Sequence, residues 1–152
     1  NITLQGRHDT YPKRRGMTRV KELMQAGVNV AFGHDCVMDP WYPLGSHDML
    51  EVAHMGLHVA QMTGTEEMQR LFDAVTVNGA KALGLECYGL EPGCFADLVV
   101  LQAGDPVEAL RLKPARLFVI RRGAVIAETA PAVSRLSLEG QSLSVDFRHA
   151  TD

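Results

Sequence analysis

The spacing of apolar positions changes character along the chain. Between Thr18 and Ala26, Val20, Leu23 and Met24 recur at helical intervals with Lys21 and Glu22 opposite, and Gly27 interrupts them, which predicts a short helix. The next run, Val28-Asn29-Val30-Ala31-Phe32-Gly33-His34-Asp35, is apolar and partly β-branched, too short for an independent helix, and ends in polar residues. It predicts a buried parallel strand that delivers His34 and Asp35 at its carboxyl end. Helical spacing returns from Ser46 to Met62, with Ser46 as N-cap and Asp48 in the first turn, and again from Thr65 to Thr76, opened by Thr65 and the acidic Glu66 and Glu67. Val77 to Leu83 continues as a further helical stretch that stops at Gly84.

At Leu85 the period shortens. Glu91-Pro92-Gly93 gives a turn before Ala96-Asp97-Leu98-Val99-Val100-Leu101, and Arg116–Arg121 and Ala124–Glu128 read as two strands joined across Arg122-Gly123. Between them, Asp105 caps a short helix opened by Pro106 and ending at Leu112. Leu136, Leu138, Leu143 and Val145 alternate in the tail, which reads either as an edge strand or as a fraying end. Helix, glycine, apolar strand, polar end and helix is the order of a βα unit, so the expected class is α/β. The expected division is 1–84 as the α/β portion, 85–130 as a β portion and 131–152 as a tail.

Composition narrows the functional classes without choosing one. The chain has 152 residues, 46% apolar and 22% charged, with 15 basic and 18 acidic side chains. The net charge of −3 gives no electrostatic footprint for nucleic acid. No apolar run approaches the roughly 20 residues needed to span a bilayer. The opening residues lack the features of a secretory leader, so a cytoplasmic location is expected. Cys36, Cys87 and Cys94 are odd in number and form no Cys-x-x-Cys pair, which suits free thiols. The chain begins at Asn1 in a segment that reads as loop, and is expected to be a truncated or processed piece.

Asp35 is the principal candidate for chemistry, because the carboxyl ends of parallel strands open onto the active face in α/β barrels. A buried Asp capping the next loop is its structural alternative. His47, Glu51, His54 and His58 share a helical face, and His54 and His58 are spaced as a zinc-binding pair, but Met55 stands where a metalloprotease carries its general base. Packed imidazoles are the alternative there. Lys13-Arg14-Arg15 reads either as a loop anchor or as a charged rim over a site.

Gly33-His34-Asp35, the string Asp39-Pro40-Trp41-Tyr42-Pro43-Leu44-Gly45 and the opening Asn1-Ile2-Thr3-Leu4-Gln5-Gly6-Arg7 together resemble the C-terminal third of bacterial cytosine deaminases, within the amidohydrolase superfamily, from Asn1 to about Glu128. The resemblance implies the last βα units of a metal-dependent-hydrolase TIM barrel followed by strands of a small β-sandwich. It implies hydrolysis of cytosine, or a related amino-pyrimidine or amino-purine base, to its oxo form with release of ammonia. The family's metal is iron or zinc, held by a His-x-His pair, two further histidines and an Asp on the eighth strand.

By this resemblance Asp35 is the metal-ligating Asp and acts as base. His34 supports it without touching the metal, and Trp41 covers the substrate ring, with core packing as the alternative for Trp41. Cys36 stands where such deaminases carry a second Asp beside the ring, which leaves isocytosine and isoguanine open as substrates. Asp97 ties a turn in the return to the β-sandwich. The His-x-His pair and the other ligands do not occur in this chain, so alone it is expected to be metal-free and inactive. The alternative is a non-catalytic assembly module, and a homo-oligomer is expected. The His-x-Glu and Pro-Cys-x-x-Cys motifs of the unrelated zinc cytidine deaminases are absent.

Overall fold

The computed structural model describes residues 4–138 and 140–148. Asn1, Ile2 and Thr3 of the opening string therefore lie outside the described residues, as do Glu139 and His149–Asp152 of the tail. The chain forms two compact units, Asn1–Glu86 and Cys87–Asp152.

Among the described residues the first unit contains four helices, α1 (Val20–Gln25), α2 (Met49–Val59), α3 (Thr65–Ala74) and α4 (Val77–Ala82). Their buried side chains, Val20, Leu50, Ala53, Leu71, Ala74 and Ala80, form its core together with Met62 from the connection between α2 and α3. Helix α2 starts later than its apolar spacing predicts. Its N-cap is Asp48, whose carboxylate accepts the Leu50 amide at 2.7 Å, and Ser46 lies outside the helix. A carboxylate at this position satisfies an orphan amide and also faces the positive end of the helix dipole. Helix α3 is capped one residue earlier than expected, at Gly64, whose amide is held by the Glu67 carboxylate at 3.0 Å.

The run Val28–Asp35 is extended but forms no strand. A parallel strand takes its backbone partners from neighbouring strands, and this run is paired with none of the described strands. Its pleat survives, since half-buried Val30, Phe32 and His34 alternate with exposed Ala31, Gly33 and Asp35. The inward residues are fixed by the helices. The Phe32 amide donates to the Ala74 carbonyl at 2.9 Å, Asn78 Nδ2 to the Val30 carbonyl at 2.9 Å, and Asn29 Nδ2 to the Asn78 carbonyl at 3.1 Å. The Phe32 ring lies on Gly56 of α2, where an added Cβ would stand 2.6 Å from ring carbon Cε2.

The second unit carries an antiparallel three-stranded sheet in the order β1 (Leu98–Leu101), β2 (Arg116–Arg121), β3 (Ala124–Glu128). Helix α5 (Pro106–Leu112) intervenes, capped by Asp105, which accepts the Glu108 amide at 2.9 Å. Arg122 and Gly123 both have positive φ, the geometry of a tight hairpin turn. Asp97 holds that turn, accepting the Arg122 amide at 2.6 Å and pairing with Arg121 at 2.5 Å. Among the described residues, strands β4 (Ser134–Leu138) and β5 (Gln141–Val145) pair with each other and with no other strand, with Leu136 opposite Leu143.

The contact between Phe32 and Gly56 yields a stability prediction. Gly56→Ala forces the ring from its seat and is expected to lower unfolding free energy by about 1–3 kcal/mol in urea titration. Gly79→Ala, in the interior of α4 with nothing within 4 Å of the added methyl, is expected to be neutral or stabilising by up to about 1 kcal/mol. Equal effects at the two positions would contradict the packing described.

Candidate active site

The first unit has an open groove of about 450 Å³ where Val28–Asp35 runs past α2. Its walls are largely apolar, from Met17, Phe32, Val52 and Met55, and its polar groups include His34, Asp35, Tyr42 and Glu51. A few polar groups among apolar walls suit a small, flat ligand.

Asp35, exposed at the end of the run, borders this groove together with half-buried His34. Its backbone is left-handed, with φ of 65°, a conformation that Asp tolerates better than most residues. The chain therefore turns away directly after the carboxylate. It enters a loop organised by Asp39, whose Oδ1 accepts the Trp41 amide at 2.9 Å and the Tyr42 amide at 2.8 Å. Met38 and Leu44 close the loop with a backbone hydrogen bond of 3.0 Å.

His34 is mostly enclosed. Its Nδ1 lies 3.1 Å from the Cys36 carbonyl oxygen, and Gly45, with φ of 94°, passes so close that a Cβ there would stand 2.6 Å from His34 Cε1. Nε2 is buried without a hydrogen-bond partner, 3.9 Å from Glu51 Oε2.

Cys36 is half-buried, and its thiol is pushed up to about 11. The hydrogen bond to the Asp39 carboxylate is the main cause, followed by burial and the negative charge of Asp35. The same thiol, with the Tyr42 and Trp41 amides, holds Asp39 below the usual carboxylate range. Cys36 thus remains a neutral hydrogen-bond donor through neutral pH, and its thiolate forms only as pH approaches the raised value.

Trp41 stands on the loop with 65% of its surface exposed in this chain, and it does not line the groove. Tyr42 does. Neither Tyr42 nor Glu51 was marked by spacing as a site residue; Glu51 belongs to the same helical face as the histidines, and that face was the available signal. His54 and His58 lie with ring centroids 4.6 Å apart, and His58 Nδ1 is bound to the His54 carbonyl at 2.8 Å. Among the described residues no three His, Cys, Asp or Glu side chains converge as a metal site there or elsewhere. Lys13 ties its own loop, donating to the carbonyls of Gly6, Arg7 and Asp9, while Arg14 pairs with Asp9 at 2.6 Å.

The chain belongs to the amidohydrolase family, whose model matches residues 1–138. It is 46% identical to 5-methylcytosine deaminase from Klebsiella pneumoniae, solved with 5-fluorocytosine; the match has a TM-score of 0.83 and covers 89% of this chain and 33% of that one. It is 34% identical to N-isopropylammelide isopropyl amidohydrolase of Pseudomonas sp. (strain ADP) over 72% of this chain and 27% of that protein. With pterin deaminase of Rhizobium rhizogenes it shares 32% identity over 86% of its length and 30% of the relative's. The chain therefore spans about a third of the length of these relatives. Its units are part of an amidohydrolase barrel followed by strands of the small β-domain.

The bond between Cys36 and Asp39 is tested by thiol chemistry. Asp39→Asn keeps an oxygen for the Trp41 and Tyr42 amides but removes the charge. Alkylation of Cys36 by iodoacetamide at pH 8, followed by mass spectrometry, is expected to accelerate about tenfold for each unit by which its pKa falls. An unchanged rate would contradict the assigned hydrogen bond.

Proposed function

We propose that this chain supplies the carboxylate of a hydrolytic deaminase acting on cytosine, 5-methylcytosine or a related amino-pyrimidine or amino-purine. The observation that carries this reading is the position of Asp35, at the polar end of the extended run and in the wall of the groove. In the reaction, water adds to the ring carbon bearing the amine, a C–O bond forms, the C–N bond breaks and ammonia leaves. Asp35 takes the proton that water gives up and passes it to the departing nitrogen. Enclosed between the Cys36 carbonyl and Gly45, His34 holds the turn that presents this carboxylate. The exposed indole of Trp41 covers the outer face of the ring, and Cys36, as a neutral donor, contributes to the choice of base.

A divalent ion needs several donors, and Asp35 is one; the described residues do not hold such an ion by themselves. The iron or zinc proposed here belongs to the complete enzyme, with Asp35 among its ligands. Such an ion supplies, when bound, a water acidic near neutral pH. The location proposed is cytoplasmic. No described helix is long and apolar enough to cross a membrane. A second reading, an assembly module that is inactive alone and self-associates, is favoured by the lack of any strand pairing of Val28–Asp35 among the described residues and by the exposed side chains of Val28 and Met55.

Splicing this chain in place of the matching segment of the Klebsiella enzyme tests both readings. The chimera is expected to release ammonia from 5-methylcytosine or cytosine, and Asp35→Asn to lower kcat by about a thousandfold or more. The chain without that partner segment is expected to release no ammonia and to sediment as an oligomer. A chimera unaffected by Asp35→Asn would contradict the first reading, and a monomeric chain the second.

A further inference from the structure

We infer that Cys87 and Cys94 form a redox-modified pair, joined by a disulfide when a small-molecule disulfide such as oxidised glutathione acts on this chain. Both are free thiols in the structure, on the loop that precedes β1, with Cys87 exposed and Cys94 half-buried. The loop turns back at Glu91-Pro92-Gly93-Cys94, where the Cys94 amide donates to the Glu91 carbonyl at 3.0 Å and Gly93 has φ of 99°. Proline followed by a glycine of positive φ is what a type II turn requires. The turn returns the chain to its start, and the Phe95 amide donates to the Cys87 carbonyl at 2.9 Å.

That hydrogen bond limits how far apart the cysteines can be. In a trans peptide the amide hydrogen and the preceding Cα are on the same side of the C–N bond, so Cα of Cys94 lies beside the hydrogen that points at Cys87. With standard peptide bond lengths, the Cα atoms of Cys87 and Cys94 are then no more than about 6–7 Å apart. A disulfide spans roughly 4.4–6.8 Å between Cα atoms. The direction of the Cys94 side chain fits the same pairing. A Cβ on Gly89 would stand 3.5 Å from Cys94 Sγ, so this sulfur faces the arm of the loop that carries Cys87.

Exposure assigns the order of steps. The Cys87 thiolate attacks one sulfur of glutathione disulfide, a mixed disulfide forms, and one glutathione leaves. The Cys94 sulfur then attacks the Cys87 sulfur, the bond between the two cysteines forms, and the second glutathione leaves. Two cysteine thiols are oxidised, one glutathione disulfide is reduced to two thiols, and the two cysteine protons pass to those thiols. Under reducing conditions the pair stays open, and it closes as oxidised glutathione accumulates.

The test is a glutathione redox titration of the intact chain, quenched with acid, alkylated, digested with trypsin and weighed. It uses no turnover, so its outcome is separate from that of the deaminase reading. Cleavage after Lys81 and Arg111 leaves both cysteines on one peptide, which is expected to lose about 2 Da and to take up no alkyl group. In about 8 M urea, where the loop hydrogen bonds are lost, the effective concentration of the pair is expected to fall at least about tenfold. Cys94→Ser is expected to stop at the mixed disulfide, about 305 Da heavier, on Cys87. The inference is overturned if the parent chain also stops at that adduct, if the main product is a disulfide between copies, or if the effective concentration is the same in urea and in water.

Discussion

An extended backbone with no strand pairing has to be held by something other than a ladder, and here the holding is done by side chains and by the amides of Val28 and Phe32. Phe32 lies on Gly56, its N–H reaches the Ala74 carbonyl, and Asn29 and Asn78 exchange amide hydrogen bonds with the opposing backbone. Each of these contacts acts on the inward half of the pleat or on its entry. The outward half, Ala31, Gly33 and Asp35, is thereby fixed in direction without being covered. The candidate carboxylate follows directly on this docked run, at a residue whose φ of 65° ends the pleat.

The loop that follows has its own internal logic. Asp39 is spent on two amides and a thiol, Gly45 is the residue whose missing side chain lets the loop lie on His34, and Ser46 secures Glu51. The Asp-Pro-Trp-Tyr-Pro-Leu-Gly string therefore encodes a loop shape as well as two exposed or groove-lining aromatics. That division explains why a string suggestive of chemistry contains, in Asp39, a carboxylate committed to structure.

Much of this was legible beforehand. The helical stretches and the hairpin across Arg122-Gly123 follow from local spacing and turn chemistry, which act over a few residues, while the structural part played by Asp97 was implied by the family resemblance. The missing strand at Val28–Asp35 was not legible, because apolar alternation reports burial and cannot report whether partner strands lie alongside. Asp48 displaced Ser46 as cap because capping depends on where the backbone leaves the helix, which His47, with φ of 58°, decides. Glu51 and Tyr42 were missed for a related reason: their importance comes from contacts across the fold with His34 and the groove, and no local pattern records those.

The central claim, that this run is docked from one side only, is tested most directly by amide hydrogen exchange at single-residue resolution. The Phe32 amide, bound to Ala74, is predicted to exchange at least about tenfold more slowly than the amides of Ala31 and Gly33, which have no backbone partner among the described residues. Uniform protection of all three, as in a strand paired within a sheet, or uniformly fast exchange, as in an undocked segment, would contradict it.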